Sequence, residues 1–526
     1  MDRARVYVAA RIHTLNPAKP VAEAVAVRSG RVVAVGTRDE ALAAVDDAEV
    51  VELPGAVLIP GLVDAHAHLA SLGRALSIAR FEETRSAAEV VERLGTAGPE
   101  SYQGEWLVGR GWDQNDWPGQ AFPHRQLLDE KFPTTPVFLT RVDGHAVWVN
   151  SEALRRAGID RTTKDPAGGR ILRDERGEPT GVLVDNAIDQ VSVKVPEPTT
   201  VQRQKRLKAA LERCAEVGLT AVHDAGMDLA TFTLLQQWDA LGALPVRVYA
   251  MADGQGPDAT LFLERGTFQG RHLTMRAVKF FADGALGSRG AALQGPYSDE
   301  PGQRGLLLVA PAELETRARR FAEEGFQVAV HAIGDRANHV ALDVLERLEH
   351  ARPGSRHRVE HAQVLAFSDV PRFSAAGIIA SMQPTHATSD MPWAESRLGS
   401  ERLRGAYAWR TLLDSGAKLA FGSDFPVEDP RPLLGLYAAR TRQDAGGKPA
   451  GGWQAQERLS GEQALEAFTT GAAYASFAEE RRGVLKAGMD ADFVALAVDP
   501  VNGEAKALLS AKVLLTVVDG REVYRP

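Results

Sequence analysis

A single cysteine among 526 residues, Cys214, excludes an intrachain disulfide framework. It lies in the helical-looking run Val201–Val217 and reads as packing rather than chemistry. Basic charge is also in deficit, with 61 Lys and Arg against 69 Asp and Glu and a net charge of −8. That balance argues against a nucleic-acid partner, which favours a basic patch. No apolar run reaches the length of a membrane span, so no membrane partner is expected. The first residues carry no long apolar segment after their charges, which predicts no secretory signal and a cytoplasmic protein. What remains is an ordinary globular composition, 44% hydrophobic and 25% charged. A chain of this length calls for more than one domain.

The texture changes along the chain. Residues 1–56 read as short strands, with Ser29-Gly30 as a hairpin turn, and residues 480–526 have the same character, with Asp519-Gly520 between the last two strands. One composite β-sandwich built from both termini is therefore expected. Residues 57–479 alternate strand and helix, the pattern of a parallel α/β fold. Eight strands are predicted: Val57–His66, Thr220–Asp224, Val246–Ala252, Met275–Ala282, Gln327–His331, Arg358–His361, Ile378–Gln383 and Lys418–Ser423. Helices are expected over Pro311–Glu324, Arg336–Glu349 and Ser400–Asp414. Eight such units make a (β/α)8 TIM barrel, whose active site lies where the strands end. The interval between its first and second strands is too long for a loop and one helix. Residues 71–198 thus read as an inserted subdomain or lid, rich in Gly, Pro and Trp.

The strand ends are unusually polar. His66 and His68 stand two apart at the end of the first strand, and on a strand such residues share a face about 6–7 Å apart. Asp64 shares that face. Lys279 lies inside the apolar fourth strand, as an ion-pair partner or a chemically modified lysine, since burial depresses its pKa. His331, His361 and Asp424 end the fifth, sixth and eighth strands. Singly, each has an ordinary structural explanation; a strand-end Asp often caps the next helix. Together they fall at one end of different strands, and that pattern points to a metal site.

These motifs resemble the amidohydrolase superfamily, and within it the YtcJ-like branch that includes N-substituted formamide deformylases. The resemblance rests on Pro60–His68, Lys279–Arg289, His331–Ala337, Glu360–Gln363, Gly422–Val427 and, in the insert, Asp143–Ser151. It implies a binuclear centre in which His66, His68 and Asp424 hold one divalent ion and His331 and His361 the other. Lys279 would bridge them as a carbamate formed with CO2. Zinc is the favoured metal; nitrogen and oxygen donors leave iron, manganese and nickel open. The implied chemistry is attack of a metal-bridging hydroxide on the carbonyl of a C–N bond, with Asp424 as general base and then acid. His145 and His223 are candidates for stabilising the oxyanion. Trp112, Trp117 and His145 are expected to shape a pocket for an apolar or aromatic substituent, with Asp283 and Arg289 as further substrate contacts.

The expected partner is a small amide, an N-substituted amide or formamide, and a homo-oligomer is left open. A cyclic amidohydrolase or a deaminase would use the same barrel, because one fold hosts many chemistries. A non-catalytic, metal-binding regulatory protein is the reading from another class. The full set of candidate ligands weighs against it.

Overall fold

The structure, a computed structural model, describes residues 3–526. At its centre eight parallel strands stand side by side in chain order: Leu62–Ala67, Leu219–Met227, Arg247–Asp253, Leu273–Phe281, Gln327–Ala332, Arg358–His361, Ile379–Met382 and Lys418–Phe421. Helices such as Thr200–Glu216, Leu229–Ala240, Pro311–Glu323 and Asp335–Ala351 run between them. Covered on both faces, the strands are near-continuous apolar runs rather than alternating ones. Cys214 is buried in the main apolar core, as expected.

The sheet is a nearly closed barrel. No ladder joins the first and eighth strands among the described residues, yet the chain just past the eighth strand seals the gap. The Asp424 amide donates to His66 O at 2.8 Å. The Asp64 carboxylate, turned away from the cavity, accepts from the Ser423 amide at 3.0 Å and from Ser423 Oγ at 2.5 Å. Gly422 is required at this seam, because a Cβ there would sit 2.4 Å from Asp64 Oδ1. The seam therefore fixes His66 and Asp424 relative to one another.

Two element boundaries differ from expectation. The strand predicted over Val57–His66 is two strands, Glu49–Pro60 and Leu62–Ala67. The first belongs to the terminal sheet, where it pairs with Arg5–His13 and Phe493–Leu496, so the barrel starts at Leu62. The break falls at Gly61, packed so tightly on Thr220 that a Cβ would lie 2.2 Å from its Oγ1. The helix expected over Ser400–Asp414 is likewise two, Ala394–Leu403 and Trp409–Asp414.

Strands from both termini form one seven-stranded sheet around a shared core that includes Tyr7, Val25, Phe493 and Val517. Its Arg31–Gly36 edge turns back on the other end, with Val32 N–H donating to Met489 O and Ala491 N–H to Gly30 O, each at 2.9 Å. The long insert builds a third sheet, from Ala79–Arg80 to Pro179–Asp185, with apolar clusters on both faces. Among the described residues, no helix is long and apolar enough to cross a membrane.

Candidate active site

The barrel strands end beneath a cavity of about 530 Å³, lined by His66, His68, Lys279, His331, His361 and Asp424. All six predicted ligands thus meet. Donor atoms of His66, His361 and Asp424 lie within 4.8 Å of one another. His68 Nε2 stands 3.0 Å from Asp424 Oδ1, and Lys279 Nζ 3.3 Å from His66 Nε2. The His331 and His361 rings are 4.5 Å apart. Asp424 Oδ1 and His331 Nε2 are buried without a hydrogen-bond partner. Orphaned donors and acceptors of this kind are costly, and their convergence on one cavity fits a metal centre. His361 and Asp424 also hold left-handed backbone, with φ of 73° and 60°. Such strain costs about 1–3 kcal/mol per residue and persists where surrounding contacts fix it.

The imidazoles are aimed from behind. His66 Nδ1 is bound to Glu360 Oε2 at 2.5 Å, which leaves Nε2 for the cavity. Glu360 is held by Arg358, Nε to Oε1 at 2.7 Å, and neither residue has any exposed surface. Arg358 also donates to Ala65 O and Ser381 Oγ and meets His223 Nδ1 at 3.0 Å. His361 Nδ1 meets Gln383 Oε1 at 2.7 Å. Burial lowers the pKa of His66, His331 and His361 well below the ordinary imidazole value, the neutral form that ligates. Burial raises Asp424, but the close approach of His68 and the neighbouring His66 and His386 imidazoles outweigh it and hold the carboxylate well below its usual range.

The expected substrate contacts are distributed differently. His145 does line the cavity, its ring 5.2 Å from that of His331 and its Nδ1 2.8 Å from Asp185 Oδ1. Burial opposes its charge, yet the Asp185 bond and nearby carboxylates raise the pKa to about 8. His223 does not reach the cavity; it is buried beneath the site against Arg358 and Tyr249. Trp112 and Trp117 do not line it either. They pack in the insert's core, their indole N–H groups donating to Leu139 O and Thr84 O. Asp283 is fully buried and accepts from the amides of Ala292, Ile333 and Gly334, a structural role. Arg289 pairs with Asp299 and Glu300 outside the cavity.

In place of the tryptophans, the insert presents charge. Arg141 is enclosed by Asp113, Asp143 and Gln114. Arg110, buried at 7% exposure, donates to Val142 O and makes no ion pair among the described residues. On the barrel side, burial lifts Asp390 to about 7 and Glu428 to about 8, beside Trp393. The site as a whole suits a polar substrate.

A sequence model of the amidohydrolase family matches residues 49–524. The chain belongs to the amidohydrolase family. It is 34% identical over 484 residues to the putative amidohydrolase YtcJ of Bacillus subtilis (strain 168), covering 91% of each chain. With the N-substituted formamide deformylase of Arthrobacter pascens it shares 28% identity over 97% of this chain and 96% of that one. The crystal structure of an uncharacterized metal-dependent hydrolase from Pyrococcus horikoshii OT3 superposes with a TM-score of 0.78 at 28% identity, covering 95% of this chain and 99% of that one. These likenesses support the YtcJ-like branch, and by class this amidohydrolase is a metal-dependent hydrolase.

Proposed function

We propose that this amidohydrolase cleaves the C–N bond of an N-substituted amide or formamide. The observation that carries the reading is the convergence of six candidate ligands on one cavity with Asp424 Oδ1 and His331 Nε2 unpartnered. His66, His68, His331, His361 and Asp424, with Lys279 between them, would hold two divalent ions, for which zinc suits the nitrogen and oxygen donors. When bound, the ions supply Lewis-acid polarisation of the carbonyl and acidification of the attacking water. The chain's own groups then handle protons and charge. Asp424, held ionised, accepts the proton of the nucleophile and returns it to the leaving nitrogen. His145, oriented by Asp185, faces the cavity as a cation that offsets charge developing on the carbonyl oxygen. Turnover of a library of N-formyl and N-acyl amines by metal-replete protein tests the reading. A library that stays intact while a cyclic amide or an aminated ring is hydrolysed would reassign the bond.

The His145 assignment has a pH signature. Its folded pKa of about 8 lies above the ordinary 6.5. The stabilisation from its pairing is therefore complete below about 6.5 and is lost as pH rises through about 8. Bound divalent ions would lower that value, so if the cation assists turnover kcat/KM falls over an interval at or below it. His145→Gln is expected to lower kcat/KM by about 10²-fold and to erase that limb of the profile. An unchanged profile would return His145 to a packing role.

Lys279 is the proposed site of carboxylation. It is fully buried, burial lowers its pKa to about 8, and it forms no ion pair among the described residues. Asp283, the obvious counter-ion, is occupied by three backbone amides. A neutral amine adds CO2, forming an N–C bond and releasing one proton, and the anion so made would counter the four positive charges of two divalent ions. Lys279→Ala is expected to lose activity and metal together, and short carboxylic acids to restore part of both. Failure of every such acid to restore metal content would count against the carbamate.

A further inference from the structure

A second cavity, of about 370 Å³, lies where the insert meets the barrel. Its lining includes Arg74, on the helix Leu69–Ala75, and Arg206, on the helix Thr200–Glu216. The two helices cross at Gly73, where a Cβ would lie 2.2 Å from Arg206 O, and this close approach brings the arginines side by side. Arg206 is 5% exposed. Neither guanidinium donates a hydrogen bond or forms an ion pair with any described residue, and Nε and Nη2 of both are buried without a partner. The third arginine of the cavity, Arg203, is satisfied by Asp228 at 2.9 Å and Glu197 at 3.4 Å.

Two neighbouring cations with idle donors, Arg206 buried and Arg74 half-buried, are expensive to fold, because desolvation and mutual repulsion both act against them. Burial and the proximity of Arg206 accordingly lower the Arg74 pKa to about 10. An oxyanion between the guanidiniums would remove both penalties, since their planar N–H forks match carboxylate and phosphate oxygens. Ser71 and Thr231 add hydroxyls, while Phe138 and Leu207 form an apolar wall beyond what an inorganic ion needs. Ser71 also lines the catalytic cavity, and the helix carrying Arg74 starts directly after His68, so the site abuts the metal centre. We propose that Arg74 and Arg206 form a second, anion-binding site for the phosphate or carboxylate group of a small organic molecule.

The rival is an internal pair in which Glu197, 87% exposed at its side chain, swings in to neutralise the arginines. Titration calorimetry of the metal-loaded protein with inorganic phosphate, sulfate and acetate, at matched chloride, separates the two. The expected result is saturable binding that Arg206→Met and Arg74→Met each weaken by about tenfold or more, with kcat/KM retained as the check on folding. Tighter phosphate than acetate assigns the head group as a phosphate, and the reverse assigns a carboxylate. In anion-free buffer Arg206→Met should raise Tm by about 1–2 °C, because an uncompensated buried charge is replaced by an apolar chain of similar length. Binding equal in wild type and both variants would place the anion elsewhere, at the metals for instance, and overturn the proposal. So would a fall in Tm for Arg206→Met, which is what loss of an internal Glu197 pair predicts.

Discussion

Asp424→Asn is expected to fold like the wild type and to lose about 10³–10⁴-fold in kcat/KM. The carboxamide keeps the shape of the carboxylate, and the backbone that positions it, with the amide on His66 O, is untouched. What goes is the negative charge and the capacity to take up a proton. The carboxylate shares both between its oxygens, and Oδ1 stands 3.0 Å from His68 Nε2 and 3.6 Å from His66 Nε2. Asp64, occupied at the barrel seam, and Asp283, occupied by backbone amides, cannot substitute. Metal analysis of the variant separates two causes, since loss of a ligand lowers metal content whereas loss of the proton carrier alone does not. Activity within tenfold of wild type at full metal occupancy would remove Asp424 from the proton path.

The barrel and the cluster of candidate ligands in its cavity were legible in the sequence because the strands are short apolar runs with polar residues at or just beyond their ends. A buried parallel strand exposes chemistry only at its ends, so His331, His361 and Asp424 announced themselves. The insert was less readable. Its Trp106–Trp112 strand is buried at every position because apolar clusters cover both faces of that sheet, and Trp112 with Trp117 belongs to one of them. Tryptophans near the mouth suggest a pocket, but the insert reaches the cavity with the strand residues Arg110 and Arg141 and with loops that carry Asp113, Asp143 and His145. Pairings such as Arg141 with Asp113, or His145 with Asp185, join segments far apart in the chain, and no periodicity foretells them. Glu360 is a different case. In Arg358-Val359-Glu360 the two charges stand two apart on a strand and so share a face. An ion pair on one face of a wholly buried strand marks a polar layer under the site, and that signal was available.

Glu360→Gln tests that layer and is expected to cost stability as well as metal affinity. Arg358 and Glu360 have no exposed surface, and the carboxylate accepts from Arg358 Nη2 at 3.1 Å and pairs with the guanidinium at 2.7 Å while orienting His66 Nδ1. Removing one charge of a buried pair leaves the other uncompensated, which costs about 3–5 kcal/mol. The other groups about Arg358 are neutral: Ala65 O, Ser381 Oγ and His223, whose pKa burial and Arg358 itself depress well below the ordinary imidazole value. None can take over the charge. The glutamine can still accept a hydrogen bond from His66, so the imidazole keeps its tautomer while losing the basicity that the carboxylate lends it. Metal affinity should then fall by about 10–100-fold. Excess metal should recover much of kcat, with the deficit carried in the metal concentration needed for half-activation. Arg358→Met in the same background separates the two roles. Removing both charges should recover much of the lost stability, because the orphaned cation is gone, yet leave the metal affinity low. If the double variant were no more stable than Glu360→Gln alone, the pair would not be the source of the loss.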